Sequence, residues 1–197
     1  MTAGSPGGIG SGRREAQAPM IPHGFLGMLI FVLAELMLFA GLISAFTIIK
    51  TGAPVWPPPG QPRLPVLASA GNTLILLASG FLVVLAHRAF HRGEREKMRK
   101  PLLGALGLGC FFVLFQGYEW ARMIGEGLTM TTSSMGGFFY LIIGMHAAHA
   151  IGALVLLGHA CLRLQRGWLT ESLFGAAEVF WLFVVAVWPV LYMVVYL

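Results

Sequence analysis

Five long, mainly apolar stretches constrain this chain more than any other feature of its sequence. Each exceeds the roughly 20 residues that an α-helix needs to cross the hydrocarbon core of a bilayer. Because backbone polar groups in lipid must satisfy one another, stretches of this length predict helices rather than barrel strands. The predicted fold is all-α, a polytopic membrane protein with one bundle of five transmembrane helices. The predicted helices cover residues 24–49, 66–89, 102–124, 136–162 and 173–197.

Composition and charge agree with a membrane protein. Hydrophobic residues make up 57% of the 197 residues, charged residues only 11%, and the mean hydropathy is +0.78. A water-soluble domain with so few charges is not expected. Lys and Arg number ten on one side of the predicted bundle and three on the other, which predicts a cytoplasmic N-terminus and a periplasmic C-terminus. Six of the ten lie in residues 87–100 and favour anionic lipid, not nucleic acid, as their partner.

The segments outside the helices carry few chemical signals. Residues 1–23 are rich in Gly, Ser, Ala and Pro and predict a flexible N-terminal tail with no removable signal peptide. Residues 51–65 contain six prolines and predict an extended loop. Within this loop Trp56 is placed as an interfacial anchor at the lipid headgroups. Thr170 precedes the fifth helix and is placed to cap it.

Small residues recur on two of the predicted helices and indicate the faces that approach other helices. On helix one they recur every seven residues, and on helix four every four residues, which lets backbones come close. The pattern predicts packing against protein, either in this chain or in another. The residues are Gly27, Ala34, Gly41, Gly144, Ala148 and Gly152.

Ionisable groups inside the apolar stretches are the candidate functional residues. Glu35, Glu119 and Glu178 would each cost a few kcal/mol if they faced lipid, so each should face protein or water. His146 and His149 are three apart and therefore share one helix face, as do Gln116 and Glu119. We predict a buried polar seam between helices one, three and four that contains Glu35, Gln116, Glu119, His146 and His149.

Three chemistries are compatible with such a seam. In the first, the side chains only anchor the helices to one another, and the chain has no catalytic or metal-binding residues. A metal centre is not expected because no helix carries the Glu-x-x-His pair of di-iron bundles. A b-type haem between His87 and His159 is the second. The third is a proton pathway through Glu35, because intramembrane carboxylates often mark proton relays, although the broken helices of a transporter are not visible in the sequence.

Several motifs occur in a fixed order from the first helix to the end of the chain. They are AELMLFAGLISAF around Glu35, then WPPPG, NTLILLASG, FQGYEW with Gln116 and Glu119, and SSMGGFFYLIIGMHAAHAIG with a His-x-x-His pair. Arg163 follows His149 by fourteen residues. In this order the motifs resemble subunit III of the haem-copper terminal oxidases, the cytochrome c and quinol oxidases, in the five-helix form.

The resemblance covers residues 24–197 and implies a function. It implies a non-catalytic subunit that holds no haem or copper, these cofactors being expected in partner subunits. The chain would pack against oxidase subunit I and other subunits in the bacterial cytoplasmic (inner) membrane. There it would stabilise subunit I and support proton uptake during O₂ reduction, which is coupled to proton pumping. It would also bind structural phospholipid, and Arg163 would contact a lipid headgroup. Leu182 and Val185 stand where the family often has His and Asp, which leaves an accessory protein of a nitric oxide reductase system as an alternative.

Overall fold

A computed structural model describes residues 23–52, 66–127 and 134–196 of the chain. Within these ranges helices are joined by short turns and no strand is present, and all five helices are long and apolar enough to cross a membrane, which confirms the predicted all-α fold. The N-terminal tail and the proline-rich segment with Trp56 lie outside the described residues. The helices are α1 His23–Gly52, α2 Val66–His91, α3 Arg95–Gly125, α4 Ser134–Gln165 and α5 Glu171–Tyr196.

The structure departs most from the sequence prediction at the basic segment between α2 and α3. We expected residues 87–100 to connect two helices, but α2 continues to His91 and α3 begins at Arg95. Only a tight turn separates the two helices, and Gly93 there adopts a φ of +73°, a conformation that glycine tolerates best. Arg, Lys and Glu are good helix formers, so this polar sequence extends α3 beyond its apolar part.

Helix α5 is the centre of the bundle. It packs against α1, α2 and α4, while α2 pairs closely with α3 and α4 contacts both α1 and α3. In the apolar window of α5, 56% of residues are buried, compared with 6% in the corresponding window of α1. Helix α1 is therefore the most peripheral helix, and most of its apolar surface faces outward to lipid or to another protein.

Two tryptophans fix the rotation of α5 against α2. Trp181 donates its indole N–H to the Ser79 hydroxyl at 3.0 Å, and Trp188 donates to the Thr73 hydroxyl at 2.9 Å. Both indoles are fully buried. Because the two tryptophans are seven residues apart, they lie on the same face of α5. Hydrogen bonds thus align α5 with α2 at two levels.

A glycine on α3 allows the close approach of one of these indoles. A Cβ atom added at Gly109 would lie 2.6 Å from the Trp181 ring and 2.7 Å from Leu154. By contrast, the small residues singled out on α1 and α4 have little packing role inside this chain. A Cβ at Gly27, Gly41 or Gly144 would meet nothing within 4 Å, and one at Gly152 would make ordinary contact with Phe180.

Candidate functional site: buried polar groups between the helices

The contact between α1 and α4 pairs two of the predicted site residues. Glu35 Oε2 lies 3.0 Å from His149 Nε2, and the two side chains are 18% and 10% exposed. His149 Nδ1 lies 2.7 Å from the Met145 carbonyl oxygen. Since a carbonyl oxygen can only accept, Nδ1 carries a hydrogen and donates it within α4.

The state of this pair follows from that assignment. With its hydrogen on Nδ1, a neutral His149 would turn a lone pair at Nε2 toward the Glu35 carboxylate, and two lone pairs this close repel each other. Attraction across this contact therefore requires a proton on one of the two facing atoms, either as imidazolium with carboxylate or as imidazole with carboxylic acid. Glu35 Oε2 has no other hydrogen-bond partner among the described residues.

Aromatic rings from α1 and α5 surround the His149 imidazole. Ring centroids lie 5.4 to 6.4 Å from it, and most of these rings meet it edge-on. Such an apolar shell keeps water away from the pair and strengthens its electrostatic attraction. It also means that removing one member would leave the other buried and uncompensated. The four rings belong to Phe31, Phe39, Phe180 and Phe183.

Gln116 belongs to a second polar cluster, which joins α2, α3 and α5. Asn72 Nδ2 donates to the Phe112 carbonyl at 3.1 Å and to Gln116 Oε1 at 3.2 Å. Gln116 Nε2 in turn donates to the Tyr196 hydroxyl at 3.0 Å. Asn72 and Tyr196 are site residues that the sequence analysis did not select. Asn72, an amide within an apolar stretch, was the available signal, whereas nothing in the sequence marked Tyr196.

The two remaining seam residues, His146 and Glu119, are buried, and Nε2 of His146 has no hydrogen-bond partner among the described residues. The His146 ring is 2% exposed, lies 5.1 Å from Trp188 and meets Phe39 edge-on at 6.2 Å, and its Nε2 has no partner. Glu119 is 6% exposed and interacts electrostatically with Arg122 and Tyr196. In the part of the chain that the structure describes, no hydrogen bond links the Glu35–His149 pair to the Gln116 cluster.

Glu178 has a partner that the sequence did not reveal. Its Oε2 lies 2.7 Å from His87 Nδ1, which joins α5 to the end of α2 near the basic turn. The ring of His91 lies 4.3 Å from that of His87. The carboxylate was recognisable as a buried group, but its partner is 91 residues away and on another helix. The pair is partly solvent-accessible, since the His87 side chain is 41% exposed.

The haem and metal alternatives find no support in the described helices. His87 is engaged by Glu178, and His159 accepts a hydrogen bond from Arg163 at 3.4 Å. Helices α2 and α4 do not form one of the closely packed helix pairs in the described part of the chain. Within the same residues, no three His, Cys, Asp or Glu side chains converge as metal ligands would.

A groove between α3 and α4 lies beside Arg163. Its volume is about 510 Å³. The walls are mainly apolar, and His159 and Gln165 lie among the lining residues. Arg163, half-buried at the end of α4, holds His159 by its Nε–H. This arrangement places a guanidinium next to an apolar furrow at the level where α4 leaves the predicted hydrocarbon region.

These features define a class: a multi-pass α-helical membrane protein whose buried carboxylate, amide and imidazole groups connect neighbouring helices. The chain matches the family profile described as cytochrome c oxidase subunit III over residues 14–197. It therefore belongs to the cytochrome c oxidase subunit III family, as the sequence motifs indicated. As a member of this family it is a subunit of a respiratory-chain oxidase and forms a complex with other oxidase subunits.

Curated relatives agree with the family match. The chain is 33% identical over 175 residues to cytochrome c oxidase subunit 3 of Synechocystis sp., covering 87% of this chain and 74% of the relative. It is 33% identical over 175 residues to a probable cytochrome c oxidase subunit 3 of Mycobacterium leprae, covering 87% and 86%. The mouse protein of the same name is 31% identical over 188 residues, covering 90% and 71%.

Proposed function

We propose that this chain is a non-catalytic subunit of a haem-copper oxidase in the bacterial cytoplasmic membrane. In this role it packs directly on subunit I, which holds the haem and copper, and stabilises it during O₂ reduction. The family match over residues 14–197 is the observation that carries the proposal. The relatives' names favour a cytochrome c oxidase over an accessory protein of a nitric oxide reductase system.

The polar groups of the bundle serve, in this proposal, as anchors between helices. The contact between Glu35 and His149 supports it for α1 and α4, and the Gln116 cluster supports it for α2, α3 and α5. Buried polar groups are stable when they are paired and costly when they are not. Helix α1 is the least buried helix, so the contact between Glu35 and His149 should matter for keeping it attached to the bundle.

Lipid binding is the second part of the proposal. The α3–α4 groove offers an apolar furrow for an acyl chain, and Arg163, which donates a hydrogen bond to the lining residue His159, offers a guanidinium, which pairs well with phosphate oxygens. Trp56, outside the described residues, remains a predicted interfacial contact. Phospholipids that stay bound through detergent purification and are lost in Arg163→Leu would support this assignment. Equal phospholipid content in both preparations would contradict it.

The third part concerns protons. The Glu35–His149 pair places a carboxyl group 3.0 Å from an imidazole among aromatic rings within a predicted membrane span. We propose that this pair supports proton uptake by the complex. Purified complexes that carry Glu35→Ala are expected to inactivate in fewer turnovers than the wild type. An unchanged turnover lifetime together with an unchanged proton stoichiometry would remove this part of the proposal.

The subunit role is tested by purifying the tagged chain from its membrane in mild detergent. Mass spectrometry should identify a large haem-copper oxidase subunit in the same particle, and the optical spectrum of the particle should contain haem bands. The chain separated from that particle should have no Soret absorbance. A Soret band in the separated chain that disappears in His159→Ala would instead establish a membrane cytochrome.

The anchoring role is tested by a double-mutant cycle on the same particle. Glu35→Ala and His149→Ala are each expected to destabilise attachment of α1, and the double variant should cost less than the sum of the two. The interaction free energy should be about 1–3 kcal/mol. Ser44→Ala, at an exposed position on α1, is the matched control and should be neutral. Strict additivity would show that the two side chains do not interact.

A further inference from the structure

A second cavity lies between α3 and α4, deeper in the membrane than the groove at Arg163. Its volume is about 170 Å³. Aromatic rings of Phe112, Trp120 and Trp188 form much of the wall. Gly117 and Ile151 also line the cavity, and both are exposed on the outer surface of the helices. The mouth of the cavity therefore opens between α3 and α4 toward the hydrocarbon.

Two buried nitrogens of the lining residues, Nε2 of His146 and the indole Nε1 of Trp120, lack a hydrogen bond among the described residues, and His146 is the more deeply buried of the two residues. His146 lines the cavity and is 98% buried, since its exposed fraction is 2%, and its Nε2 has no hydrogen bond among the described residues. A buried polar atom without a hydrogen bond is unfavourable. A ligand whose polar group pairs with Nε2 of His146 should therefore bind more tightly than a purely apolar ligand of the same shape.

The surroundings define the ligand. An ion is excluded because the cavity opens into hydrocarbon, where a charge is costly. A hydroxyl group suits His146 in either tautomer, because it can donate to a bare Nε2 or accept from a protonated one. The volume is close to that of an engineered protein cavity of about 150 Å³ that binds benzene, and flat rings pack well against aromatic walls.

We propose that this cavity binds a small, neutral, lipid-dissolved molecule of the phenol class, one aromatic ring with one hydroxyl. The ring enters between Gly117 and Ile151 and packs among the aromatic side chains. Its hydroxyl pairs with Nε2 of His146. The site is separate from the Glu35–His149 pair and does not depend on the oxidase role of the complex.

The experiment uses 3-azidophenol as a photoreactive probe on the intact purified complex. After illumination, peptide mass spectrometry should locate the label on α3 and α4 residues that line the cavity. Excess phenol should displace the label. Toluene, which has the ring but no hydroxyl, should compete about tenfold less well, the difference expected for one hydrogen bond.

Three variants complete the test. Gly117→Leu places a side chain at the mouth and should reduce labelling at least tenfold, whereas Gly107→Leu on the same helix should leave it unchanged. A Cβ at either glycine meets nothing within 4 Å, so neither substitution disturbs packing at that atom. His146→Leu should abolish the preference for phenol over toluene.

Two outcomes would overturn the proposal. Labelling of Gly117→Leu at the wild-type level would show that the probe does not enter between α3 and α4. Labelling that excess phenol cannot displace would show that the label is non-specific and that the cavity does not bind phenol.

Discussion

Replacing Gly109 by alanine tests the packing that holds α3 against α5. The new Cβ would lie 2.6 Å from one carbon of the Trp181 ring, 2.7 Å from a second and 2.7 Å from a Leu154 methyl. Contacts under 3.0 Å require a neighbour to move. The Leu154 methyl can rotate away, but the Trp181 indole is fully buried and its N–H is bonded to Ser79. The strain therefore falls on the indole and its hydrogen bond.

The expected loss of stability in Gly109→Ala is estimated by comparison with Gly107, a second glycine of the same helix. Alanine at Gly107 meets nothing within 4 Å, so Gly107→Ala should gain the helix propensity of alanine, about 1 kcal/mol. Gly109→Ala has the same gain but also overpacks the core, which costs about 1–3 kcal/mol. The difference between the two variants isolates the overpacking cost. Because the indole is hydrogen-bonded, we expect a difference of about 2–3 kcal/mol in favour of Gly107→Ala.

The assay is pulse proteolysis of membranes in graded SDS, with the full-length chain quantified by immunoblot. A difference of 2–3 kcal/mol corresponds to about a 30- to 150-fold difference in the ratio of unfolded to folded chain at a fixed SDS concentration. Gly107→Ala should unfold at or above the wild-type midpoint, and Gly109→Ala clearly below it. Equal midpoints for the two variants would refute the close approach of Trp181 to α3.

Three further perturbations test individual contacts by the same assay. Trp188→Phe keeps an aromatic side chain, although a smaller one, and leaves the Thr73 hydroxyl without its donor, so it should cost at least about 1–2 kcal/mol, and a neutral result would contradict the α2–α5 alignment. Thr170→Ala removes the side-chain cap on α5 and should cost about 1 kcal/mol, whereas Thr170→Ser should retain most of the stability. Glu178→Gln should cost no more than about 1 kcal/mol because the pair is partly exposed, and its effect should disappear in a His87→Ala background.

Much of the architecture was readable from the sequence. Apolar stretches of more than 20 residues predicted five helices, and most of the predicted ends lie within three residues of those observed. Thr170 was placed to cap α5, and the structure confirms this, since its hydroxyl accepts the Leu173 N–H at 3.3 Å. The ordered motifs indicated the family that the profile match then showed. Helix length, capping and motif order are properties of neighbouring residues, so the sequence displays them directly.

Other features were decided only when the helices packed. Helix α1 is apolar on nearly all sides, so no periodicity in its sequence specifies which face meets α4. The partner of Glu178 is likewise set by where α2 ends beside α5, and the glycine that matters most, Gly109, belongs to neither predicted small-residue pattern. The sequence predicted one polar seam, whereas the described helices separate the Glu35–His149 pair from the Gln116 cluster. Hydropathy determines that a segment enters the membrane, but the rotation of each helix depends on side chains from several helices at once, and only the tertiary structure resolves it.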